Sequence, residues 1–126
     1  MSKSPGHQKR PDHKIDEHHI PQAVTVEIGG QTVAKSRDVI RVDEDGHPSR
    51  FYFPRSDVRL DRLERTPTTS ECPFKGTAHY FSLRADGRTL EDAVWSYEEP
   101  FDEHADLKDR LAFYDDKYRD IHVQVQ

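Results

Sequence analysis

Alternation of apolar and polar positions runs through most of the chain. In the stretch 23–28, Val24, Val26 and Ile28 fall on one side, a period of two that predicts a strand. Gly29-Gly30 follows and predicts a hairpin turn, because glycine reaches positive φ without strain. The pattern then predicts strands over 31–35, 38–42 and 50–53, with residues 43–47 as a turn and Pro54 as the stop. Ser56 stands before Asp57 and a mixed stretch through 64, which predicts a short capped helix ended by Pro67 and its threonine neighbours. Residues 68–76 predict a loop. The clearest hairpin is 77–84 with 89–97, joined through Asp86-Gly87. Leu107 and Leu111, four apart, predict a second helix over 103–111, and 121–125 alternates again as a last strand.

Six or seven strands joined by hairpins, with two short helices and no βαβ pattern or internal repeat, predict a mainly β fold. The expected architecture is a compact antiparallel barrel-like or tent-like sheet. Residues 1–22 break the pattern. Met1, Ile15 and Ile20 are their only apolar residues, and Pro5, Pro11 and Pro21 punctuate them. They are expected to form a disordered polar tail, since so little apolar surface does not offset the entropy of ordering. The single β-rich domain is then 23–126. His7, His13, His18 and His19 lie in this tail without metal-ligand spacing, so no metal site is expected there.

Composition narrows the function class. The 126 residues carry 19 basic and 24 acidic side chains, a formal net charge of −5. A nucleic-acid partner engaged through bulk positive charge is therefore not expected. The apolar runs are a few residues long, and no membrane partner or secretion leader is expected. One cysteine, Cys72, excludes an internal disulfide and a multi-thiolate zinc site. A cytoplasmic protein without a cofactor is the expectation.

One stretch gathers chemistry. Tyr52, Asp57, Cys72, Pro73, Lys75, Gly76 and Tyr80 fall within thirty residues, and Trp95 and Tyr97 lie on the partner strand. Binding residues favour loops held by a rigid scaffold, which is where 72–76 is expected to be. Lys75 supplies an ammonium suited to an anionic group, though the P-loop pattern is absent. Cys72 as a nucleophile needs a base, and Lys75 or His79 is the nearest candidate. Its plainer reading is a small buried thiol. The arginines at 50, 55, 59, 62 and 65 are interleaved with Asp57, Asp61 and Glu64, which reads as a solvated salt-laced face.

Several motifs occur in a fixed order: Val33-Ala34-Lys35-Ser36, Tyr52-Phe53-Pro54-Arg55-Ser56-Asp57-Val58, Cys72-Pro73-Phe74-Lys75-Gly76 with Ala78 and Tyr80, Ala93-Val94-Trp95-Ser96-Tyr97 with Pro100, and Leu111-Ala112-Phe113-Tyr114. In this the chain resembles the bacterial family known as domain of unknown function 427, from about residue 24 to 114. The resemblance implies a compact, mostly β domain with a central cleft. Some family members carry two copies of the domain, so the single copy here implies a homodimer by analogy. The family's label also mentions nucleotidyl transfer. Such chemistry needs a Gly-Ser pair followed by Asp-x-Asp, to hold metal ions against a triphosphate. Gly-Ser is absent, and Asp43-Glu44-Asp45 reads as turn chemistry.

Three functions are weighed. The first is a small-molecule-binding domain whose cleft is lined by Tyr52, Cys72, Lys75, Tyr80 and Trp95 with Asp57 at the rim, the Cys-Pro-x-Lys-Gly loop holding an anionic group. The second is an enzyme using Cys72 and Lys75, or Asp57, in nucleotide transfer among other reactions. The third is an interaction module using the acidic segment 102–111.

Overall fold

In the computed structural model, which describes residues 2–126, the alternation is realised as ten strands among the described residues. They are β1 Ile15–Ile20, β2 Val24–Ile28, β3 Gln31–Ser36, β4 Val39–Glu44, β5 Arg50–Tyr52, β6 Leu63–Cys72, β7 Gly76–Ala85, β8 Arg88–Tyr97, β9 Ala112–Phe113 and β10 Ile121–Val125. The predicted turns form as read. Gly29 and Gly30 have φ of +55° and +82°, both left-handed, and Asp86 and Gly87 repeat the arrangement at +55° and +70°. Two consecutive positive φ angles twist a hairpin in the sense the strands prefer.

All pairings are antiparallel, and the strands form three sheets ordered β1-β4-β5, β10-β2-β3 and β6-β7-β8-β9. None closes into a barrel; they lean together as the panels of a tent. Isolated bridges between Ala34 and Val58 and between Phe53 and Leu111 stitch panels to one another. The pleat sorts side chains into two cores. Val39, Phe53, Leu83, Val94 and Phe113 face the larger one, with Val24, Val26, Ile28 and Leu111. Their neighbours one residue along, Ile40, Tyr52, Trp95 and Ala112, face a second, aromatic-rich core with Tyr97 and Leu107. The second core positions the site. Among the described residues no helix is long and apolar enough to cross a membrane.

Four expectations are corrected. Residues 15–20 are not a loose tail: they pair with β4 from Ile15↔Glu44 to Ile20↔Val39, and Ser4 and Gly6 ahead of them are buried. The stretch Ile15-Asp-Glu-His-His-Ile looks too polar for a strand because backbone pairing, and not a buried face, holds this edge. The helix expected over 57–64 is two 3₁₀ turns, Arg55–Asp57 and Leu60–Arg62, with β6 starting at Leu63. Between the two turns Val58 bridges Ala34 of β3, and the Arg59 N–H donates to Val33 O, so pairing overrides a stretch with no apolar helical face. The loop expected over 68–76 is mostly β6, whose threonines suit a pleated surface, leaving only 73–75 as a turn. Pro67, which lacks an N–H, sits where the β6–β7 register is irregular. The second helix is a kinked 3₁₀ segment, Asp102–Leu107.

Candidate functional site

A cavity of about 340 Å³ opens in the aromatic core between β4, β5, β7, β8 and the turn 73–75. Its walls follow from strand register. Tyr80 on β7 and Trp95 on β8 are cross-strand partners, and Tyr97 lies two residues along β8 on the same face. Tyr52 enters from β5 and Tyr114 from beyond β9. Trp95 Nε1 donates to Tyr52 Oη at 3.1 Å, with the two rings edge to face and their centroids 6.3 Å apart. Burial raises the Tyr52 phenol well above the ordinary tyrosine value, although the bond from Trp95 acts the other way. Burial likewise raises Tyr97 and Tyr80. These phenols stay neutral donors at any physiological pH.

Two cations enter this aromatic lining. The Arg50 guanidinium carbon lies 5.2 Å from the Trp95 ring centre and 5.3 Å from that of Tyr114. Asp116 anchors its outer edge at 2.8 and 3.3 Å. Lys75, only 6 % exposed, puts Nζ 6.0 Å from the Tyr97 ring centre. Its ammonium donates to Glu44 Oε1. The other Glu44 oxygen is bonded to His13 Nε2 at 2.9 Å, with His47 Nε2 at 3.7 Å. Burial alone would raise the Glu44 pKa, but the hydrogen bonds from Lys75 and His13 outweigh it, so the carboxyl lies below the usual glutamate value. Among the described residues, Glu44 is the one acceptor bonded to the Lys75 ammonium, which has three N–H groups.

Of the residues read from sequence, Tyr52, Cys72, Lys75, Tyr80 and Trp95 all line this cavity. Asp57 does not. It ends the first 3₁₀ turn and accepts from Ser36 Oγ at 2.6 Å, tying that turn to the end of β3 on a different face. It is expected at the rim, but the bridge from Val58 to Ala34 holds this turn against β3 instead. Cys72 is half-buried in the wall. His79 is no base for it, because Ala78 and Tyr80 face the aromatic core and the residue between them points to the opposite side of β7. Asp43 and Asp45, the Asp-x-Asp of the sequence, also lie outside the cavity. Asp43 accepts from Ser49 Oγ and Arg41 Nε, and Asp45 accepts from the Lys14 N–H.

Glu44, Arg50 and His13 escaped sequence reading. Glu44 lies two residues beyond Val42, on the same face of β4, and this spacing is the signal that marks it. Assigning 43–47 to a turn concealed it, because the partner strand that extends β4 lies in the polar N-terminal stretch. Among the described residues no group of three or more His, Cys, Asp and Glu side chains is arranged to hold a metal ion.

No curated protein matches the chain. A family model does, over residues 16–124, which begins inside β1 and ends inside β10 and so spans the three-panelled fold and the cavity residues together. The chain belongs to the family described as "Domain of unknown function (DUF427)".

Proposed function

We propose that this domain binds a small molecule with a planar or apolar body and one anionic or carbonyl-bearing group. The body lies against Tyr80, Trp95, Tyr97 and Tyr114, and the acceptor group meets Lys75. The observation that carries this reading is the state of Lys75. A buried ammonium at a cavity wall has one acceptor among the described residues and retains N–H groups for another. Leaving such donors without partners is costly, and a ligand oxygen satisfies them. The volume of about 340 Å³ lies at the small end of the usual range for ligand pockets. Glu44 balances the charge of Lys75 and Asp116 that of Arg50, so the site suits a ligand with a single acidic or carbonyl group better than a polyanion such as a nucleoside triphosphate.

Trp95 is the only tryptophan of the chain and lines the cavity, so its emission reports directly on occupancy. Benzoate and nicotinate are suitable probes, with their methyl esters and cyclohexylamine as controls. The expected result is a saturable change in Trp95 emission with the two carboxylates, with Kd below about 1 mM. The amine should give none. Lys75→Met should weaken carboxylate binding at least about tenfold, equivalent to about 1.4 kcal/mol. Tyr80→Leu, a half-buried position, should weaken carboxylate and ester alike. Equal response to amine and carboxylate, or no response to any probe, overturns the reading.

A further inference from the structure

The N-terminal segment ahead of β1 lies outside the stretch that matches the family, yet it is packed onto the turn that carries Lys75. Ser4 Oγ donates to Pro73 O at 2.8 Å, and the Gly6 N–H donates to the same oxygen at 2.8 Å. The helical turn α1, Pro5–Lys9, leads away from this contact. The Phe74 ring is held between two imidazoles, with His7 edge-on at 5.0 Å and His13 stacked at 4.3 Å. Farther along, His13 reaches Glu44, and the Asp45 N–H donates to Lys14 O at 3.0 Å. The segment therefore grips the backbone on one side of Lys75 and the carboxylate on the other.

The segment is also fastened to the 3₁₀ segment: the Ser4 N–H donates to Glu103 Oε1 at 2.9 Å, the Asp102 N–H donates to Ser2 O at 3.0 Å, and beside them runs a chain of three titratable side chains from three parts of the sequence. Glu17 Oε2 of β1 bonds His104 Nδ1, and His104 Nε2 lies 2.9 Å from His7 Nε2. His104 is 3 % exposed. Two imidazole nitrogens at this distance need one proton between them: one ring donates, and the other offers a lone pair. With Glu17 accepting, His104 Nδ1 bears hydrogen. In the neutral pair His7 Nε2–H donates to His104 Nε2. Adding one proton to His104 reverses the donor and keeps a single hydrogen in the gap, with His7 in its other tautomer. Adding a second puts a hydrogen on both facing nitrogens and a positive charge on both rings, and the bond becomes a repulsion.

We infer that residues 2–14 form a proton-released strap over the Pro73–Lys75 rim of the cavity, held while one proton lies between His7 and His104 and lifted when acid supplies a second. The groups facing this pair are Glu17 of β1, Glu103 of the 3₁₀ segment, Glu44 of β4, and His13 and Lys3 of the strap itself. Burial, and then His104, hold the His7 pKa below the ordinary value, while Glu103 and Glu44 pull it upward. The lifted strap then binds a proton more tightly than the docked one. Docking is complete above the ordinary imidazole value of about 6.5 and weakens as pH falls below it. Lifting removes His13 from Glu44 and frees Phe74, so the support beneath Lys75 loosens. The strap stands independently of the ligand-binding reading, and only its coupling to affinity rests on that reading.

Hydrogen exchange of the full chain, corrected for intrinsic rates, tests the strap without a ligand. Between about pH 7.5 and about pH 5, a window that spans ordinary histidine titration, the Gly6 and Arg10 amides should lose at least about tenfold in protection while β7 and β8 keep theirs. Gly6→Ala provides the lifted reference. Its Cβ would come within 2.7 Å of Pro73 O, so those amides should be unprotected at both pH values. His7→Gln keeps a donor but no titration, and should flatten the profile. The decisive readout is the histidine NMR titration, in which His7 should titrate lower in the wild type than in Gly6→Ala. Equal His7 titration in the two proteins, or wild-type protection unchanged between the two pH values, overturns the strap.

Discussion

Trp95 Nε1 donates to Tyr52 Oη across 3.1 Å, and this bond joins β8 of one panel to β5 of another inside the cavity wall. Tyr52→Phe leaves the indole N–H without its partner. The expected cost is about 1–3 kcal/mol, as for other buried donors left unpaired. Trp95→Phe in the same background removes the orphan, so the double variant should lose less than the sum of the singles. Urea unfolding of the four proteins gives that coupling directly.

Lys75 is buried and Glu44 is mostly so, with side chains 7 % and 10 % exposed, and the loss of one strands the other. Lys75→Met should destabilise the fold by about 3 kcal/mol, the low end for a broken buried pair, because His13 and His47 still face Glu44. Adding Glu44→Gln should recover much of this. The pH dependence has a definite sign. In the wild type the Glu44 pKa is lowered, so its contribution is present above the ordinary glutamate value of about 4.3 and lost below it. In Lys75→Met the carboxyl is buried without its cation, its pKa rises, and the gap to wild type should narrow on acidification. Denaturant midpoints across that range check this.

Glu98 sits between two guanidinium groups, with Arg65 at 2.8 and 3.0 Å and Arg55 at 3.1 Å. The bond from Arg65, followed by its charge and then Arg55, holds the carboxyl at about 2 against burial. Its stabilisation is therefore full above the ordinary glutamate range and disappears as pH falls toward about 2. Glu98→Gln should cost about 1–2 kcal/mol at neutral pH, reduced by solvent at half-exposed Arg65, and nothing at the acid end. Urea unfolding in a series of acid buffers separates this from a pH-independent loss.

The glycines of the first hairpin should not respond alike. A Cβ at Gly29 would meet Asp86 Oδ2 at 2.2 Å, where the second hairpin turn packs against the first, while a Cβ at Gly30 meets nothing within 4 Å. Gly30→Ala should cost only the left-handed backbone, about 1–2 kcal/mol. Gly29→Ala should cost more and displace Asp86, whose N–H donates to Gln31 Oε1 at 2.9 Å. Thermal midpoints and the Asp86 amide shift distinguish the two.

Much of this architecture is legible in the residues. Period-two spacing marked the strands that carry Tyr80, Trp95 and Tyr97, and paired left-handed turn residues marked both tight hairpins. Tyr52, Cys72 and Lys75 join them because strand register makes neighbours of residues on different strands. The rest depends on partners that no local pattern names. The strand Ile15–Ile20 has an exposed, polar face, so nothing in its composition announces it, and with it went the extension of β4 that presents Glu44. Asp57 looked like a helix cap because a Ser-Asp pair favours one in isolation, but β3 offered that backbone a ladder partner instead.

The panel β10-β2-β3 joins residues 121–125 to residues 24–28, nearly the whole chain apart. Loop closure over such a span slows folding. During synthesis β2 and β3 can zip into their hairpin early, but their outer edge waits, unpaired and apolar, until the far end has emerged from the ribosome. That interval is where a chaperone would find a handhold, and where ribosome-bound chains shortened before residue 121 should be caught by proteases or aggregate.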